Sequence, residues 1–261
     1  MNYDNIIFNA ADDGIATITF NRPQQYNSFS EKTCSEFINC LSDIDRNQDI
    51  KVMIITGSGN AFSAGGDVNW LLTADTTWKK NMILEAAVKI IETLNNIKKP
   101  VICAVNGVAA GAGVAVLMAS DIVIASTEAK FAPNFIKLGL VPDTGSSYYL
   151  VRSVGARKAL ELFWTGKELS ADEAMALGIF NYVVPGDQLM TEANKFARRL
   201  IKHNYQSNLM IKELVRTSIT NDLSSQCRLE NYCQILAWSS QEFIDAMSAF
   251  TGKHQKGLES K

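Results

Sequence analysis

Between residues 139 and 150 the chain reads GLVPDTGSSYYL, and its one acid, Asp143, stands among apolar, small and hydroxylated residues. An acid so placed has two uses. Kept from water, a carboxyl group is poised to take and return a proton. The same Pro-Asp-Thr-Gly order also makes a turn, with the aspartate capping a helix that begins near Gly145. Two other stretches offer backbone in place of side chains. In FSAGGD (62–67) and NGVAAGAG (106–113) a buried-type strand gives way to glycine and alanine. Small residues at a strand exit let a ligand approach the main chain, and amides at a helix start lack partners within their helix. Two such amides converging on one oxygen form an oxyanion hole; close packing is the alternative use of each stretch. Neither matches a phosphate-binding G-K-[ST] loop or a G-x-G-x-x-G fingerprint. The two histidines, His203 and His254, lie far apart in the chain, so neither a metal cluster nor a histidine-based triad is expected.

The surrounding pattern says what must hold these groups. A hairpin is expected where NIIFNAADDGIATITF turns at Asp-Asp-Gly. Ser28 and Glu31 have capping-box spacing ahead of Cys34, Phe37, Ile38 and Leu41, which recur at helical intervals. KVMIITG, VICAVNG and DIVIAS read as strands that are apolar throughout, separated by a helix over 81–97 and a small-residue helix from AAGAGVAVLMAS. Such alternation predicts an α/β fold with parallel strands covered on both faces. After about residue 185 the period is helical to the end. Apolar side chains including Tyr232, Leu236 and Phe243 predict a helical region that packs on its core or on another subunit.

At 261 residues, with 47% hydrophobic and 20% charged residues, the chain can build a substantial core. A net charge of −2 gives no electrostatic ground for a nucleic acid or anionic-membrane partner. Five cysteines without C-x-x-C spacing are expected as buried or half-buried thiols. The apolar segment 107–120 is shorter than the ~20 residues that cross a bilayer. With no secretory pattern at the start and ESK at the end, the expected location is cytoplasmic.

Taken in order, NRPQQYNSFS (21–30), ITGSGNAFSAGGD (55–67), KKPVICAVNGVAAGAG (98–113), SDIVIASTEAKFAPNFIKLGLVPDTGSSYYL (120–150) and GKELSADEAMALGIFNYVVP (166–185) resemble the crotonase (enoyl-CoA hydratase/isomerase) superfamily. The resemblance implies a crotonase-like spiral of ββα units over 1–190, and a helical region over 191–261 that builds homotrimers or dimers of trimers. It implies a coenzyme A thioester as substrate and no separate cofactor. Gly66 and Ala112 would supply the oxyanion-hole amides. Ser63, Ala64, Gly65, Asp67, Phe135 and Leu140 would contact the substrate or its CoA.

Members that hydrate 2-enoyl thioesters are similar in carrying two glutamates; the matching positions here are Ala115 and Phe135. Members that shift a double bond resemble this chain in placing a single acid at Asp143. The expected reaction is therefore isomerisation of a 3-enoyl to a 2-enoyl thioester, with Phe135, Leu140 and Val141 raising the pKa of Asp143. Three alternatives stand beside it: a hydratase-like lyase, a hydrolase like the 4-chlorobenzoyl-CoA dehalogenases with Asp143 as nucleophile, and a non-catalytic acyl-CoA-binding scaffold. The dehalogenases carry a histidine and a tryptophan where this chain has Glu92 and Phe135. Trp70 and Trp78 are candidates for lining an acyl tunnel, Arg22 for a CoA phosphate contact or a structural salt bridge, and Lys253 and His254 for reaching a neighbour's CoA.

Overall fold

The structure, a computed structural model, describes residues 3–202 and 204–258, with side chains as far as Phe250. β1 (Ile6–Ala10) and β2 (Ile15–Phe20) form the expected antiparallel hairpin. α1 (Glu31–Arg46) follows, capped by Ser30, whose hydroxyl accepts the Thr33 amide, and not by Ser28. The reason is tertiary. Phe29 is still extended, bridged in parallel to Gly66, so the helix begins only after it.

The chain then makes three similar turns, each giving a strand to a large sheet, a short strand to a second sheet, and then helix. The first turn is β3 (Val52–Gly57), β4 (Ala61–Ser63), α2 (Val68–Leu72) and α3 (Thr77–Asn96). The second is β5 (Val101–Val105), β6 (Val108–Ala110) and α4 (Ala112–Met118). The third is β7 (Ile122–Ser126), β8 (Lys130–Ala132), α5 (Ser146–Val154) and α6 (Ala156–Thr165). β9 (Leu169–Ser170), α7 (Ala171–Ala176), β10 (Tyr182–Val184) and α8 (Leu189–Lys202) complete this part. The large sheet has the order β1-β2-β3-β5-β7-β10, parallel from β2 onward, and the small one the order β4-β6-β8-β9. This is a ββα spiral of the kind the resemblance implies.

Alternation along the strands explains why they read as apolar throughout. Met53, Ile55, Cys103, Val105 and Val123 face a core that includes Phe20, Phe37 and Phe131. Their neighbours Val52, Ile54, Ile102, Ala104 and Ile124 face Leu189, Ala193 and Ala197 of α8. Both faces are buried, so neither can be polar. The compact units accordingly divide between Ile201 and Lys202. That is later than the 190/191 division read from sequence, because the sheet uses the apolar stripe of α8.

The second unit contains α9 (Tyr205–Thr217), α10 (Leu223–Trp238) and α11 (Gln241–Leu258). The helical period read over this region is divided between α10 and α11 at Ser239–Ser240. Cys34, Cys40 and Cys103 are buried, and burial pushes each thiol up to about 12. Such thiols are poor nucleophiles. Cys227 is exposed, contrary to expectation, because it sits on α10 and not in the sheet core. Among the described residues no helix is long and apolar enough to cross a membrane.

Candidate active site

The two glycine-rich stretches meet because β4 pairs with β6 in parallel, so both chains leave the small sheet on the same side. Gly65 has φ +89, and a Cβ there would lie 2.9 Å from the Ala110 carbonyl oxygen and 3.0 Å from the Ala112 nitrogen. Only glycine takes that backbone shape in that space. Gly111, at φ +50 and ψ −125, makes the matching turn before α4. Segment 109–111, expected as helix, is therefore strand and turn, and the helix starts at Ala112.

Gly66 and Ala112 are both half-exposed. In the bridge to Phe29, the Phe29 amide donates to the Gly65 carbonyl at 2.7 Å and the Asp67 amide donates to the Phe29 carbonyl at 3.0 Å. A parallel bridge of this form turns the intervening residue's own amide away, here that of Gly66. Ala112 is the first residue of α4, where an amide has no helical acceptor. Neither N–H donates to any group among the described residues.

A polar network fixes this loop. The Ser63 hydroxyl donates to the Asn27 carbonyl at 2.9 Å and accepts the Gly65 amide at 3.2 Å. The Ala64 amide donates to the Tyr26 carbonyl at 2.9 Å, while Ala64 itself is exposed. The Asp67 carboxylate is buried, receives Arg22 Nη2 at 2.8 Å, and caps α2 through the amides of Asn69 and Trp70. Burial alone would raise the pKa of Asp67, but the Arg22 hydrogen bond and the two amides outweigh it and hold the carboxyl below its usual range. The side chains of Ser63 and Asp67 are thus bonded to the scaffold, and Arg22 takes the salt-bridge role.

Asp143 is half-buried in the segment that leads into α5, and α5 packs against α4. Its carbonyl accepts the Ser146 amide at 2.8 Å, closing the expected turn. Its carboxylate does not cap the helix: the cap is Gly145, at φ +78, and no side chain bonds the exposed amides. The carboxylate instead accepts the Thr144 hydroxyl at 2.7 Å. Burial raises its pKa against the opposing pull of that hydroxyl and of its own amide, and no charged side chain enters the balance. The Ser146 hydroxyl, fully buried, has no hydrogen-bond partner among the described residues.

For the other expected site residues the outcomes divide. Ala115 is fully buried in the core. Phe135 is buried as well, its ring edge-on to Phe163 with centroids 6.3 Å apart. Leu140 and Val141, expected to shield the carboxylate, are 48% and 76% exposed. Glu92 is solvated and pairs with Lys89 at 3.7 Å. Trp78 is 71% exposed on α3. Trp70 lines a cavity of about 420 Å³ with Ser30, Glu31, Lys32 and Ser35, apart from Asp143 and both amides. His203 and the side chains of Lys253 and His254 lie outside the described residues. Among the described residues no three metal-binding side chains gather. Sequence reasoning missed Thr144 and the parts of Tyr26 and Asn27; the hydroxyl beside the acid was the only available signal.

A family model described as enoyl-CoA hydratase/isomerase matches residues 10–261. The chain belongs to this family. This hydratase/isomerase-family enzyme is 36% identical over 259 residues to 1,2-epoxyphenylacetyl-CoA isomerase of Escherichia coli K12, covering 98% of each chain. It is 33% identical to the probable mitochondrial enoyl-CoA hydratase of Dictyostelium discoideum, covering 92% of this chain and 85% of the other. Among solved structures, an enoyl-CoA hydratase from Bacillus anthracis matches with a TM-score of 0.91 at 28% identity, over 96% of this chain and 97% of that one. The fold and the crotonase resemblance are thereby borne out. The names on the relatives include both isomerase and hydratase.

Proposed function

We propose that this enzyme isomerises an unsaturated acyl-CoA, moving a 3,4 double bond to the 2,3 position through Asp143 alone. The observation that carries the proposal is the half-buried Asp143 carboxyl group, with a raised pKa and no capping duty, in a chain that has hydrocarbon side chains at Ala115 and Phe135. The Asp143 carboxylate takes a proton from C2 of the substrate. The electron pair moves into the thioester carbonyl, and the resulting dienolate oxygen accepts the N–H groups of Gly66 and Ala112. The protonated Asp143 then returns its proton at C4, leaving the 2,3 double bond conjugated with the thioester. The acid ends as it began, and no water is consumed.

Hydration needs one group to activate water and another to manage the proton at the α-carbon. Alanine and phenylalanine do neither. The isomerase name carried by the 36%-identical relative supports the same choice. The exposed loop around Ala64 is the proposed contact for CoA, and the helical unit the proposed seat of self-association into trimers.

The test is an assay of the protein and its Asp143→Asn variant on a 3-enoyl-CoA, read by absorbance of the conjugated thioester. Conversion by the protein, reduced at least about 1,000-fold in the variant, is expected, since general acid–base groups contribute 10²–10⁴-fold each and this one acts twice. A variant with near-normal turnover would remove Asp143 from the mechanism.

A further inference from the structure

We propose that Thr144 is a positioning residue for Asp143, its hydroxyl holding one carboxylate oxygen so that the other faces the substrate. The inference rests on the isomerase reading and adds a component to it. Thr144 Oγ1 donates to Asp143 Oδ1 at 2.7 Å, and among the described residues no other side chain bonds that carboxylate. The two residues are adjacent, so the bond could be incidental, but the backbone argues otherwise. Thr144 has φ +53, in the left-handed region that a β-branched residue rarely enters. Gly145 follows at φ +78, so the chain passes through two left-handed residues before α5. Glycine would serve the turn at 144 without strain, as it does at 145. The side chain is also 6% exposed, so solubility does not explain it. A strained, buried hydroxyl bonded to the proposed base is what a site accepts in exchange for geometry.

The chemistry asks for such a part. One carboxyl must reach two carbons in turn, and a freely rotating one spends most of its time aimed at neither. Anchoring one oxygen leaves the other at a fixed place between them. The hydroxyl also donates to the charged form, which opposes the effect of burial and keeps the group able to act as a base.

Three variants separate positioning from folding, each measured for kcat, KM and melting temperature with a 3-enoyl-CoA. Thr144→Ser keeps the donor and should retain kcat within about threefold. Thr144→Val keeps shape without the donor, and Thr144→Gly relieves the backbone without the donor. Both should lose roughly 10- to 100-fold in kcat with KM little changed, the scale of a small misplacement of a reacting group. Thr144→Gly should melt no lower than the parent, so its loss of turnover is not a folding defect. Full activity in Thr144→Gly, with Asp143→Asn inactive, overturns the role of Thr144 alone. An active Asp143→Asn overturns the isomerase reading and this inference together. A Ser variant as slow as the Val variant also contradicts the positioning role.

Discussion

Asp143 and Asp67 are separated by their surroundings and titrate in opposite directions. Asp67 meets Arg22 and two amides and is held below the ordinary carboxylate range. Asp143 has burial against it and one neutral hydroxyl in its favour, and is held above that range. The signs for stability follow. A carboxyl whose folded pKa is raised binds its proton more readily in the folded state, so its contribution is present at low pH and is lost as pH rises through the folded value. Replacing Asp143 with asparagine should therefore raise the melting temperature at about pH 8 and leave it nearly unchanged near pH 3, where the parent is also neutral. Differential calorimetry at the two pH values checks this. A variant that melts lower at pH 8 would mean the carboxylate stabilises the fold. At this scale the sequence was informative but incomplete. The acid and both glycine stretches were visible in it, while the scaffold contacts of Ser63, Asp67 and Phe135 were not. What a polar or aromatic side chain bonds depends on which distant groups lie beside it, here the Asn27 carbonyl, the Arg22 guanidinium and the Phe163 ring.

At the scale of elements, the loop after β4, which carries the Gly66 amide proposed for the oxyanion hole, is pinned to segment 22–29. Asp67 is one fastener, joining Arg22 to the start of α2. Breaking a buried ion pair by removing one charge costs about 3–5 kcal/mol. Partial exposure of Arg22 places Asp67→Asn toward the low end, with a fall in melting temperature of roughly 6–12 °C. The aspartate's benefit exists at neutral pH and fades as pH falls through its depressed value, so the deficit should shrink in acid. Thermal melts at about pH 7 and pH 3 measure both parts, and an equal deficit at the two would contradict the assignment. The long strands were legible because burial on both faces leaves an unbroken apolar run. β4 and β6 were not, since three residues carry no usable period, and β6 was absorbed into the helix that follows it. Ser28 was mistaken for the cap of α1 because local spacing does not reveal the bridge from Phe29 to Gly66.

For the molecule as a whole, the ββα repeat that organises the core leaves no repeat in the sequence. Its turns share a path through two sheets, which many apolar sequences satisfy equally well. The helical unit poses a different problem. Leu223, Tyr232, Ile235, Leu236 and Trp238 of α10 are each at least 59% exposed in the single chain. Large apolar surface of this kind marks association sites. Light scattering on the purified protein should give the mass of three or six chains, and Leu236→Glu should shift it toward one; a parent that is monomeric at micromolar concentration would contradict the proposed assembly.

The central claim is that one acid shifts a double bond and does not add water. The most direct measurement offers the purified protein a 3-enoyl-CoA and a 2-enoyl-CoA in parallel and weighs the products by mass spectrometry. The account predicts conversion of the first at unchanged mass and no heavier product from the second. A product from the second that is heavier by about 18 Da, one water, would show that the acid–base pair assigned as missing at Ala115 and Phe135 is supplied elsewhere, and would contradict it.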